Sequence, residues 1–122
     1  MALPARRIVV GYDGSDAARR ALDAAADLAG YGSTLSVVTV QTGEVDGWIS
    51  GDARARLLQR HVEARYHETR GEPAERLVEK ATELGADLLV VGRRSRSPLR
   101  ALLGSVSSRV VRRAACDVLV VR

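Results

Sequence analysis

The stretch "PAERLVEKATELGADLLVVG", residues 73–92, changes its hydrophobic period halfway along. In the first half Ala74, Leu77, Val78, Ala81 and Leu84 recur at three- and four-residue steps, which lines up one face of a helix. Pro73 suits the first helical position, where an N–H has no intrahelical partner. Gly85 suits the residue just past the end. The spacing predicts a helix over 73–84. Asp87 to Gly92, "DLLVVG", then runs apolar without alternation, the pattern of a strand covered on both faces. A helix feeding such a strand is half of a βαβ unit, and βαβ units build parallel sheets by right-handed crossovers.

The same grammar extends in both directions. "RIVVGYDGS", residues 7–15, reads as a buried strand at Ile8 to Val10 that enters a tight loop. Ser15 or Asp16 can cap the helix that follows, whose face is Ala18, Ala21, Leu22, Ala25, Leu28 and Ala29. Gly30 and Gly32 end it. "TLSVVTV", residues 34–40, is a second strand rich in β-branched residues. Residues 41–52 read as a polar loop whose large apolar side chain is Trp48, and "ARARLLQR", residues 53–60, as about two helical turns. "HVEARYHE", residues 61–68, alternates weakly and reads as an edge strand. Ser105 can cap a last helix carrying Val106, Val110 and Ala114, before the strand "DVLVVR", residues 117–122. Strand and helix alternate throughout, so residues 1–122 are expected to form one α/β domain with an open parallel sheet covered by helices on both faces. In such sheets ligands sit beyond the carboxyl ends of the strands, where the strand order reverses.

Composition agrees and excludes other classes. The chain has 122 residues, 46% of them hydrophobic, with no Phe, so Val, Leu, Ile and Ala must fill the core. The net charge of +4 raises non-specific affinity for polyanions. Trp48, Tyr12, Tyr31 and Tyr66 are scattered rather than arranged as a stacking platform, so no nucleic-acid partner is expected. No stretch approaches the roughly 18 apolar residues of a membrane span. Cys116 is the sole cysteine, which fits a reducing compartment, and a cytoplasmic location is expected.

Two loops carry the candidate chemistry. Asp13 lies just past the first strand, where its carboxylate can accept from ribose hydroxyls or adenine, or can instead cap the next helix. Gly92 closes the "DLLVVG" strand, where a missing side chain lets backbone N–H groups approach a phosphate. Gly104 and Ser105 open the last helix, whose N–H groups and dipole favour an anion, and Ser107 adds a hydroxyl. The alternative is a plain turn and cap. Arg93, Arg94, Arg96 and Arg100 lie between the two glycines. They either fork onto phosphate oxygens or face solvent as a basic loop. His61 and His67 lack zinc-ligand company, and Cys116 reads as a small buried hydrophobe. No G-x-S-x-G nucleophile elbow and no Walker A pattern occurs, and the only lysine, Lys80, falls in a helix. No catalytic role is expected.

Taken together, "RIVVGYDGS", "RGEPAERLVEKATELGADLLVVGRRS" and "LLGSVSSRVVRRAACDVLVVR" resemble the universal stress protein family over nearly the whole chain. The resemblance is weakest from Gln41 to Glu68, where this chain is shorter than most relatives. It implies a five-stranded parallel sheet of order 3-2-1-4-5, similar to the adenine-nucleotide α-hydrolase-like fold. It also implies a homodimer paired through the last strand, Asp117 to Arg122, and an unidentified protein partner. Members that bind ATP carry G-2X-G-9X-G-S/T. Here Gly92 matches the first glycine, Gly104 and Ser105 the terminal pair, Ser107 a following hydroxyl, Asp13 the acidic residue near adenine or ribose, and Val40 and Val91 positions beside the base. Gly11, Tyr12, Ser95 and Val106 complete the candidate set. Ser95 replaces the second glycine, and eight residues rather than nine separate it from Gly104. The resemblance thus implies a stress-response regulator that binds ATP, with Mg2+ accompanying the nucleotide only. The Ser95 departure leaves open AMP, cyclic AMP or no nucleotide at all.

Overall fold

The computed structural model describes residues 6–30, 32–41, 47–93 and 105–122, with the side chain of Ser105 outside the description. Five parallel strands form one sheet in the order β3-β2-β1-β4-β5, as the family resemblance implies. They are β1 (Arg7–Gly11), β2 (Thr34–Gln41), β3 (Arg65–Arg70), β4 (Leu88–Gly92) and β5 (Asp117–Val121), joined by α1 (Asp16–Leu28), α2 (Trp48–Gln59), α3 (Pro73–Glu83) and α4 (Ser105–Arg113). The order reverses between β1 and β4, where Val10 stands opposite Val90.

Two core layers flank the sheet. Alternate strand residues Ile8, Val10, Leu35, Val37 and Val90 meet Leu22 and Ala25 of α1 and Leu57 of α2. The intervening residues Val9, Val38, Leu89 and Val91 meet Leu77 and Ala81 of α3 and Val110 of α4. A period of two along strands buried on both sides explains both clusters at once. Because each helix returns from a strand's carboxyl end to the next strand's start, every helix N-terminus lies on the carboxyl-end side of the sheet.

Local chemistry sets the helix ends. Ser15 is the N-cap of α1, its Oγ accepting from the Ala18 N–H at 3.1 Å. Glu72 caps α3, its carboxylate accepting from Ala74 N–H at 3.3 Å and Glu75 N–H at 2.8 Å. Glu72 also takes the Arg109 guanidinium at 2.9 Å, which ties α3 to α4.

Several expectations are corrected. The interval 41–52 is not all loop, because α2 already begins at Trp48. The strand expected over 61–68 begins only at Arg65. The reason is the end of α2. His61 adopts φ +56, and the Val62 N–H returns to the Leu57 carbonyl at 2.9 Å, a left-handed terminus that turns the chain at His61 before β3 begins. On α1 the buried face is Ala17, Ala18, Ala21, Leu22, Ala25 and Ala26, while Leu28 is 48% exposed. Alanine dominates that face, and its first turn approaches β4 closely at Gly92. α4 starts on Ser105 itself, so Ser105 lies inside the helix rather than before it.

Candidate functional site

The carboxyl ends of β1, β2 and β4 lie side by side at the point where the strand order reverses. Gly11 stands opposite Val38, and the Tyr12 N–H continues the ladder to the Val38 carbonyl at 2.9 Å. Val40 follows on β2. Val91 and Gly92 end β4, with Gly92 opposite Val121 and the Arg93 N–H reaching the Val121 carbonyl at 2.6 Å. The first turn of α4 brings Val106 and Ser107 to the same side of the sheet, with the positive end of its dipole toward the strand ends. Ser95, Gly104, Arg94, Arg96 and Arg100 fall outside the described residues.

The candidates differ in how they are placed. Asp13 is exposed at the rim, and its Oδ1 accepts the Ser15 N–H at 3.0 Å, so it shapes the turn into α1 while Ser15 does the capping. Ser107 is buried. Val91 is buried and Val40 and Val106 partly so, all packed in the layer of α3 and α4. Gly92 has a packing reason to lack a side chain: a Cβ there would stand 2.5 Å from the Ala17 carbonyl oxygen and 2.9 Å from the Ala18 nitrogen. The strand end therefore lies directly against the first turn of α1. At Gly11 a Cβ would meet the Leu77 side chain at 2.9 Å, a flexible neighbour.

Tyr12 turns the other way, into the layer of α1 and α2. Its hydroxyl donates a hydrogen bond to Asp52 Oδ2. Asp52 also pairs with Arg19 Nε at 3.6 Å and Arg56 Nε at 3.4 Å. Burial, then the Asp52 hydrogen bond, pushes the Tyr12 phenol up to about 12. The Tyr12 hydroxyl, helped by Arg19 and Arg56, holds the Asp52 carboxyl below the usual range. Tyr12 thus offers its backbone to the strand end and its side chain to a tie between β1, α1 and α2. Sequence reasoning missed this tie and the Glu72–Arg109 pair. The Asp52 and Arg56 spacing of four on a helix was the one local hint; Tyr12 and Asp52 are 40 residues apart.

Trp48 also belongs to the rim. Its ring lies on Gly14, one residue beyond Asp13, so that a Cβ at Gly14 would stand 2.7 Å from Trp48 Cη2. Gly14 itself holds φ +81, a conformation that glycine adopts without penalty. Elsewhere, His67 lies on β3 with its Nε2 buried and unpartnered; burial, then Lys80 and Arg65, pushes its imidazole down. No His, Cys, Asp or Glu group suited to a metal occurs among the described residues. Burial pushes the Cys116 thiol up, away from thiolate chemistry. No helix among the described residues is long and apolar enough to cross a membrane.

Comparison with known proteins gives one consistent result. The model of the universal stress protein family matches residues 4–122. The chain is 34% identical over 139 aligned positions to universal stress protein Rv1636 of Mycobacterium tuberculosis, covering 95% of each. Among solved structures it is similar to a universal stress protein in complex with cAMP, at 36% identity and TM-score 0.83, covering 96% of each chain. It is also similar to the universal stress protein from Archaeoglobus fulgidus in complex with dAMP, at 25% identity and TM-score 0.78, covering 96% of this chain and 98% of that one.

Proposed function

The chain belongs to the universal stress protein family, and on that premise we propose that it is a regulatory protein that binds an adenine nucleotide at the carboxyl ends of β1, β2 and β4. One observation carries the reading: the Asp13 loop, the end of β4 at Gly92 and the N-terminus of α4 converge where the strand order reverses. A strand-order reversal leaves a crevice, and a helix N-terminus supplies N–H donors and positive potential for phosphate. Asp13 is the acceptor for ribose or base, and Ser107 adds a hydroxyl at the first turn of α4. ATP is the first candidate, with Mg2+ arriving only as its counter-ion. The protein acts by binding and signalling rather than by turnover, in keeping with a sequence that carries neither a Walker A pattern nor a nucleophile elbow. In the same reading two copies pair through β5, the edge strand whose Leu119 is exposed.

A nucleoside monophosphate is the second reading. Ser95 in place of a glycine favours it, and so does the similarity to a universal stress protein in complex with cAMP. Titration calorimetry with ATP, ADP, AMP and cyclic AMP separates the two. Saturable heat with ATP supports the first reading, and heat with AMP or cyclic AMP alone the second. Flat traces with all four refute nucleotide binding. Asp13→Asn keeps an acceptor for the Ser15 N–H while removing the charge, and is expected to weaken whichever nucleotide binds.

A further inference from the structure

We propose that the indole of Trp48 is a wall of the base pocket, stacking on the adenine of the bound nucleotide; this rests on the nucleotide-binding reading above. Three observations carry it. First, Trp48 opens α2, and the crossover from β2 to β3 puts that helix start on the carboxyl-end side of the sheet. Second, its ring rests on Gly14, beside Asp13, so closely that a Cβ at Gly14 would stand 2.7 Å from Trp48 Cη2 and 3.0 Å from Cζ3. The lack of a side chain at Gly14 is what lets the ring come this close to the loop that ends β1. Third, Trp48 is the largest apolar side chain in the protein and is 56% exposed, although it touches the rim. The other described aromatics are otherwise engaged. Tyr12 is buried against Asp52, and Tyr66 is covered by the Arg54 guanidinium 4.2 Å from its ring centroid. Trp48 therefore presents the one free aromatic surface among the described residues, at the end of the sheet where the base must lie. An exposed indole fixed against a glycine at this rim offers its aromatic surface to a planar, electron-poor ring.

Stacking of a base on an aromatic side chain corresponds to about a 5- to 150-fold change in affinity when the ring is removed. Trp48 is the only tryptophan, so its fluorescence reports this ring alone. The experiment titrates the full chain with ATP, AMP and cyclic AMP, following tryptophan emission and calorimetric heat in parallel. It is repeated by calorimetry with Trp48→Ala, Trp48→Leu and Trp48→Phe. The expected result is saturable quenching at the calorimetric Kd, reduced acrylamide access to the indole, and at least five-fold weaker binding by Trp48→Ala and Trp48→Leu, with Trp48→Phe restoring most of the loss. Should Trp48→Ala fail to fold, the Leu and Phe pair makes the same comparison at nearly constant bulk. Nucleotide heat with unchanged emission, or with Trp48→Leu within twofold of the parent, overturns the stacking role and leaves the nucleotide reading standing. Flat calorimetry with every nucleotide overturns both.

Discussion

Replacing Gly92 with alanine is expected to destabilise the fold before any ligand is considered. The added Cβ would stand 2.5 Å from the Ala17 oxygen, 2.6 Å from the Ala17 carbonyl carbon and 2.9 Å from the Ala18 nitrogen. An ordinary contact begins near 3.4 Å, so β4 and α1 must part by roughly 0.9 Å. Neither side yields easily. Gly92 is hydrogen-bonded into the sheet beside β5, and the first turn of α1 is held by the Ser15 cap and by buried Ala17, Ala18 and Ala21. Overpacking of a core typically costs about 1–3 kcal/mol. Backbone on both sides of the contact places this substitution at the upper end, about 3 kcal/mol. For a chain of this length that lowers Tm by roughly 9–15 °C. Urea denaturation followed by far-UV circular dichroism measures the loss, and scanning calorimetry the Tm. Gly30→Ala is the control, because nothing lies within 4 Å of a Cβ there. It is expected to be within about 0.5 kcal/mol of the parent. A Gly92→Ala protein as stable as the Gly30→Ala control would refute the argument that β4 and α1 touch through this glycine. The glycine would then be free to be read through a ligand alone.

Tyr12→Phe removes the donor to Asp52 inside the layer of α1 and α2, and is expected to lower stability by about 1.5–3 kcal/mol in urea titrations, as for hydrogen bonds to charged groups. The Tyr12 phenol is more basic folded than unfolded, so its contribution is full below the ordinary value near 10 and fades as pH rises through about 12; Tyr12→Phe should flatten that alkaline decline. Glu72→Ala should cost about 1 kcal/mol through the lost cap, and a double-mutant cycle with Arg109→Ala should reveal coupling between α3 and α4. At the acid end, Tyr12 lowers the Asp52 carboxyl. Burial raises that of Glu72, but the Glu75 and Ala74 N–H groups with Arg109 outweigh it. The unfolded chain then binds more protons, so stability is full above about pH 4 and falls as pH drops through the lower folded values; acid titration of Glu72→Gln should show a shallower fall. The imidazole of His67 is likewise harder to protonate when folded, through burial first and then Lys80 and Arg65. Stability should therefore decline as pH falls below the ordinary value near 6.5, and His67→Gln should remove that step from chemical denaturation at pH 7 and pH 5.

By itself the sequence determined the alternation of strand and helix, the apolar strands of a sheet covered on both faces, and the helix over 73–84 to within a residue. These are local properties. Period, caps and turn residues act within a few positions, and the chain writes them where they act. The end of α2 was less legible because His61 takes a left-handed conformation that a glycine would have advertised. Only the tertiary structure decided that Tyr12 faces Asp52 rather than the strand ends, and that a side chain at Gly92 would meet the Ala17 carbonyl. It also decided that Trp48, in a stretch read as loop, opens a helix and lays its ring on Gly14. Each of these joins residues tens of positions apart, and the partner is chosen by how helices settle on the sheet. Local pattern limits which faces are buried; the packing of one layer on the next selects which side chains meet.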